Sequence, residues 1–256
     1  MKFAVAWVGP VSAAQVSGAT VPDAPMTFVN CTGDGSPDCS QIGSGIGAAA
    51  GGSIVRGLLA KAGVPDGQLI LGSFSAGHEI AKPALMSAAD RALVRAVLLA
   101  DSTYTSWQSP GVPLPPEGYV RYAIDAIDRP QLFVATSRKS PIGQYPSSDD
   151  TVEALRREVE RRTGRKFERV DGLPGVPLKP ETTYRLGNAW LAIYPPSISH
   201  GEHATKLAPM VWRGMLLPWL AGADGGGLGL RVLVAALGAA AGWAAARQIM
   251  LRLPRR

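Results

Sequence analysis

A chain of 256 residues, 46% hydrophobic and 18% charged, carries enough apolar mass for one sizeable core and is too apolar for disorder to dominate. The formal net charge of +6 is concentrated at one end: from Asp224 onward five arginines face one aspartate, a net of +4, which leaves +2 on everything before it. With no zinc-spaced cysteines, no phosphate-cradling G-x-x-x-x-G-K and no basic stretch interleaved with aromatics, no nucleic-acid partner is expected.

The opening residues, MKFAVAWVGPVSAA, allow two readings. Lys2 before a short apolar stretch and small residues resembles a weak secretory signal, whereas residues 3–8 taken alone make a first strand of a sheet. Residues 26–30 (MTFVN) predict the next strand, followed by a glycine-rich loop holding Cys31 and Cys39. Eight positions apart, these cysteines form a local disulfide outside the cytosol or remain two free thiols. A helix is expected over residues 53–62, a strand over 69–72, a helix over 77–92, and strands over 95–100 (RAVLLA), 131–135 (QLFVA) and 189–194 (AWLAIY). Short apolar runs alternating with helical patterns predict an α/β domain over residues 1–221, with a mostly parallel central sheet flanked by helices. The connection over 137–188 is long and is expected to form a lid or one wall of a cleft.

In such sheets reactive groups collect at the carboxyl ends of the strands. Residues 69–78 (LILGSFSAGH) end an apolar run at small residues, after which helical spacing resumes. A nucleophile in that turn occupies strained backbone and needs small residues two positions to each side, and Ser75 has Ser73 and Gly77. A frame starting at Gly72 makes Ser73 the alternative nucleophile, with only Ser75 as its small neighbour, so Ser75 is preferred. The turn also aims the amide of Ala76 and the positive end of the following helix at an oxyanion above Ser75. The bland reading is a serine-rich turn whose hydroxyls cap the helix.

Ser73-Phe-Ser-Ala-Gly77 resembles the nucleophile elbow, G-x-S-x-G, of the α/β-hydrolase fold, with serine in place of the first glycine. The resemblance implies a nucleophile, an acid and a histidine in that chain order. Of the three histidines, His78 stands too close to Ser75 in sequence and reads as a helix-face residue. His203 is preferred to His200 because it stands at the junction of loop and closing helix in SISHGEHATKLAP. For the acid, Asp101 ends a strongly apolar strand, where a carboxylate needs a reason to sit. Asp149 and Asp150 are the alternatives, although SSDDT reads equally well as a helix cap.

The resemblance further implies acyl transfer with no cofactor and no metal. Ser75 attacks an ester, His203 takes its proton, the acid steadies the imidazolium, and water clears the acyl-enzyme. Ala76 and a donor near Cys31 and Thr32, with Thr32 preferred, are expected to hold the oxyanion. The GSFSAGH elbow and the H-x5-P…PWL end are similar to cutinase-like and phage-lysis esterases, which implies lipid, polyester or cell-envelope esters as substrates. The alternative from another class is a non-catalytic module of the same fold, used for binding or structure. Metal-dependent hydrolysis is disfavoured because HGEH lacks the H-E-x-x-H spacing.

Residues 222–229 read as a glycine-rich linker and 230–256 as a hydrophobic helix with a basic end. The fifteen residues between Arg231 and Arg247 carry no charge. At about 1.5 Å per residue they span roughly 22 Å, short of a ~30 Å hydrocarbon core unless the flanking arginines snorkel. Gly238 and Gly242 have the G-A-A-A-G spacing of packed membrane helices. Membrane association is therefore expected, with a helix docked on protein as the alternative, and the chain would be secreted or membrane-associated.

Overall fold

The computed structural model describes residues 2–223, apart from 17, 22, 33–37 and 142–144. Strands β1 (Phe3–Gly9), β2 (Met26–Asn30), β3 (Gln68–Phe74) and β4 (Val94–Ala100) precede a short hairpin of β5 (Trp107–Ser109) and β6 (Val112–Pro113). They are followed by β7 (Leu132–Arg138), β8 (Glu168–Val170), β9 (Thr182–Leu186) and β10 (Ala189–Tyr194). The hairpin aside, all join one sheet in the order β2-β1-β3-β4-β7-β10-β9-β8. Pairing is parallel from β2 through β10 and antiparallel for β10 with β9 and β9 with β8.

The apolar runs that mark the strands are continuous because the inner strands are covered on both faces. Along β1, Ala4, Ala6 and Val8 point into one core while Phe3, Val5 and Trp7 point into the other. The first core is closed by helices α1 (Cys39–Ala48), α2 (Ile54–Lys61), α3 (His78–Ala84), α4 (Ala88–Leu93), α5 (Glu117–Asp128) and α6 (Ser148–Thr163), through side chains such as Leu58, Ile80, Tyr119 and Leu155. The second is closed by a helical run, α-helical at His200–Glu202, Ala208–Val211 and Leu217–Ala223, with π-helical turns at His203–Leu207 and Trp212–Leu216. Trp212 anchors it, its ring 5.8 Å from that of Trp7 and its indole N–H donating to the Thr20 carbonyl at 2.7 Å.

Residues 3–8 are thus a strand at the heart of the sheet, between β2 and β3. The helix expected over 77–92 is two helices. Pro83 stands in the last turn of α3, and Ser87 caps a new start by accepting from the Asp90 amide. Arg91 donates to the orphaned carbonyls of Leu85 and Met86 at 3.2 and 2.9 Å. Within 137–188, α6 packs onto the first core and β8 and β9 extend the sheet. Gly222 and Ala223 continue the last helical stretch, and the linker and hydrophobic helix expected beyond them lie outside the described residues. Among the described residues no helix is long and apolar enough to cross a membrane.

The chain leaves β1 toward β2 on one side and returns to β3 on the other, so the direction of winding switches between β1 and β3. In doubly wound sheets the crevice outside the carboxyl ends of the strands at such a point is where ligands bind. The residues that follow β3 therefore occupy the position that chemistry would use.

Candidate active site

Ser75 follows β3 directly and opens a single 3-10 turn, Ser75–Gly77, that leads into α3. Its φ is +52°, the left-handed region that non-glycine residues enter only when the surroundings hold them there. Here the surroundings do. A Cβ on Gly77 would lie 2.2 Å from the Val8 carbonyl oxygen, so only glycine lets the turn close against β1. The carbonyl of Ser75 accepts two side-chain hydrogen bonds, from the Ser102 hydroxyl at 2.9 Å and from His78 Nδ1 at 3.0 Å, which assigns the ring proton of His78 to Nδ1. Burial, helped by the charge of Lys82, lowers the His78 pKa to about 4, so this clamp is neutral. Ser102 gives its proton to Ser75, so it accepts from the buried Ser73 hydroxyl at 2.7 Å. Ser73 is thereby committed inside the protein. The Ser75 hydroxyl, by contrast, is partly exposed and is not hydrogen-bonded to any other described residue.

Asp101 ends the neighbouring strand β4 in the same unusual conformation, φ +45°, with its amide donating to the Thr136 carbonyl at 2.9 Å. Its carboxylate is fully buried, and His200 Nδ1 donates to one oxygen at 2.7 Å while the Ser148 hydroxyl donates to the other. Arg138 Nε stands 3.4 Å from the oxygen that His200 engages. Burial pulls the Asp101 carboxyl upward, but the hydrogen bond from His200, the nearby His203 and the hydrogen bond from Ser148 together outweigh it and leave the group below the ordinary aspartate value. The carboxylate is therefore charged near neutrality and fixes the Nδ1–H tautomer of His200.

His200 is the first residue of the C-terminal helical run, whose start is set by a capping box of Ser199 and Glu202. The ring overhangs the end of the sheet, stacked on Phe74 with centroids 4.7 Å apart and meeting Tyr104 edge-on at 6.3 Å. Phe74 immediately precedes Ser75, so the imidazole rests on the elbow itself. With Nδ1 committed to Asp101, Nε2 is left as the basic nitrogen.

His203, preferred on sequence, takes none of these contacts. It is fully buried on the second face of the sheet, edge-on to Tyr194 at 5.7 Å. Thr136 gives its hydroxyl proton to the Leu99 carbonyl, so its oxygen accepts from His203 Nδ1 at 3.1 Å. That leaves His203 Nε2 buried without a hydrogen-bond partner among the described residues. Burial lowers its pKa to about 4 and keeps it neutral. Three residues of helix, about 4.5 Å of rise, separate a position over the rim of the sheet from one inside the core. The histidine paired with Asp101 is His200.

Asp150 serves the cap of α6, accepting from the Ser147 hydroxyl at 2.6 Å, and Asp149 Oδ1 is buried without a partner among the described residues. Neither meets a histidine there, while Ser148 beside them braces Asp101. Ala76 stands in the elbow turn. Thr32 lies at the same carboxyl end, two strands away. Its carbonyl accepts from the Cys39 amide at 3.0 Å, and a Cys31–Cys39 disulfide with a Cα–Cα distance of 4.9 Å ties β2 to α1 around it. Sequence reasoning missed Ser102, Ser148, Thr136, Phe74 and Tyr104. The polar run Asp101-Ser-Thr-Tyr104, directly after seven buried residues of β4, was the available signal. Among the described residues no group of three or more His, Cys, Asp or Glu side chains is arranged to hold a metal ion. Compared with protein-family models and with curated proteins, the sequence matches none of them.

Proposed function

We propose that the chain is a serine hydrolase of carboxylic esters, built on an α/β-hydrolase fold, with Ser75 as nucleophile, His200 as general base and Asp101 as the carboxylate that orients it. The observation that carries the reading is the 2.7 Å hydrogen bond between a buried, charged Asp101 and His200, whose ring lies on the elbow where Ser75 is held at φ +52°. In the first step Ser75 Oγ bonds to the ester carbonyl carbon as its proton passes to His200 Nε2, and the imidazolium so formed faces the Asp101 carboxylate. The proton then goes to the departing alcohol. Water repeats the sequence on the acyl-enzyme, releasing the acid and restoring Ser75. The Ala76 amide and a donor from the loop at Thr32 would hold the oxyanion. The Ser75 hydroxyl must turn to meet His200 when substrate binds, a tightening common in catalytic hydrogen bonds. The resemblance to cutinase-like esterases points to extended lipid, polyester or cell-envelope esters, and residues 230–256 would bring the enzyme to a membrane.

A second reading, a binding or structural module of the same fold, is favoured by the one observation that Ser75 Oγ has no hydrogen-bond partner among the described residues. One experiment separates the two. Purified full-length chain and Ser75→Ala are compared in turnover of short- and medium-chain 4-nitrophenyl esters and in labelling by a fluorophosphonate. Turnover and labelling that both disappear in Ser75→Ala are expected. A well-folded wild-type chain that neither turns over nor labels would leave the binding module.

A further inference from the structure

A cavity of about 550 Å³ opens between the β5-β6 hairpin and helices α5 and α6, with Lys82 of α3 reaching it. Leu114, Pro115 and Pro116 give it an apolar wall, and Lys82, Arg161 and Arg162 bring three cations to it. Two of these are neutralised. Arg161 pairs with Glu158 at 2.7 Å, and Arg162 pairs with Glu117 at 2.6 Å and with Glu158 at 2.6 Å. Lys82 differs, because no carboxylate lies within ion-pair distance of it among the described residues. Glu79, one turn earlier on α3, acts on it only at longer range. Its one described hydrogen bond goes to the Tyr104 carbonyl at 3.1 Å, which leaves two N–H donors unused. Lys82 is also half-buried, and that burial lowers its pKa, the mark of an ammonium that has lost water without gaining a counter-charge.

The lysine is tied to the candidate active site through Tyr104. The carbonyl of Tyr104 holds the ammonium, and its ring meets His200 at 6.3 Å and His78 at 5.6 Å. Tyr104 is thus the residue that joins the uncompensated ammonium to the imidazole, and an extended ester with its carbonyl over Ser75 would have to pass Tyr104 to reach Lys82.

Resting on the serine-hydrolase reading, we propose that Lys82 is a specificity-determining residue, holding a carboxylate on the part of the substrate remote from the scissile bond, so that acidic esters are preferred to neutral ones of equal length. The apolar wall fits an aliphatic stem between the two groups, which makes half-esters of dicarboxylic acids the simplest members of the class.

The test uses the full chain and its Lys82→Met and Lys82→Arg variants. For each, kcat/KM is measured with the 4-nitrophenyl half-esters of succinate, adipate and sebacate and with the neutral esters of matched length. At the length that spans from Ser75 to Lys82, wild type is expected to favour the half-ester at least tenfold. That ratio should collapse toward one in Lys82→Met and persist in Lys82→Arg. No preference in wild type at any length, or an equal ratio in Lys82→Met, overturns the proposal. Calorimetric titration of the diacids themselves, with fluorophosphonate labelling of Ser75 run alongside, separates this proposal from the reading beneath it. Diacid binding to wild type but not to Lys82→Met, without labelling, keeps the anion site and removes the hydrolase. Labelling without diacid binding or ester preference keeps the hydrolase and removes the site.

Discussion

The two histidines at the start of the C-terminal helical run show what a single residue's surroundings decide. His200 and His203 are three positions apart, carry the same side chain and follow the same strand. One is partly exposed over the rim of the sheet with a charged partner, and the other is sealed in the core with a threonine. On the serine-hydrolase proposal, His200→Ala is expected to lower kcat/KM for a neutral ester by about 10³ to 10⁴, the usual cost of removing a triad member. His203→Ala should leave a cavity and lower stability by a few kcal/mol, yet keep turnover per titratable serine within about tenfold of wild type. Rates normalised by fluorophosphonate titration check this, and the opposite ranking would reinstate His203 as the base. The sequence pointed to the pair as candidates for the residue that meets Asp101, because SISHGEH follows the last apolar run. It did not show which, because the choice depends on where the first helical turn begins. That start is set by the Ser199 and Glu202 capping box, not by anything near the histidines' own chemistry. The strained backbone at Ser75 was easier to expect, since SFSAG offers the small neighbours that such a turn needs.

At the scale of elements, the inner parallel strands were legible because burial on both faces leaves nothing but apolar residues, as in RAVLLA and AWLAIY. Elements held by longer-range contacts were not. The segment CSQIGSGIGA reads as loop from its glycines, yet it is helix α1, started by Asp38 accepting from the Gln41 amide and pinned at its first residue by the Cys31–Cys39 disulfide. Strands β8 and β9 carry few apolar residues because they lie at one end of the sheet, and the short, charged β8 at its edge leaves little for another strand to pair with. The hairpin that walls the Lys82 cavity leaves no strand pattern in the sequence, because its five strand residues are too few to establish a period. The disulfide ties the strand end and helix start that flank Thr32, so this tie depends on an oxidising environment that no strand pattern announces.

For the molecule as a whole, two neutral imidazoles, one half-buried and one fully buried, set the response to acid. His78 and His203 each have a folded-state pKa of about 4, below the ordinary histidine value of 6.5. The unfolded chain therefore binds protons that the folded chain refuses. The stability tied to this difference is complete above pH 6.5 and is lost as pH falls from there toward 4. Asp101 behaves likewise at lower pH, because its folded value lies below its unfolded one and its contribution disappears as the carboxylate is protonated. Linkage puts the His203 share on the order of 3 kcal/mol across that window. Urea midpoints measured between pH 4 and 8 should fall steeply on the acid side, and His203→Gln should flatten the slope. A midpoint independent of pH over that range would mean that neither imidazole is held neutral.

The left-handed backbone at Ser75 also has a meaning for heat tolerance. A conformation that glycine adopts freely is imposed here on a residue with a Cβ, at a cost of about 1 to 3 kcal/mol, so the folded chain is less robust than its packing would permit. Ser75→Ala keeps the Cβ and the strain. Ser75→Gly releases the strain and should melt about 2 to 4 °C above Ser75→Ala, even after the added freedom of glycine in the unfolded chain is subtracted. Calorimetry on the two inactive variants reads the difference directly. The turn that would make this protein an enzyme is then also the place where a more heat-resistant protein would give the enzyme up.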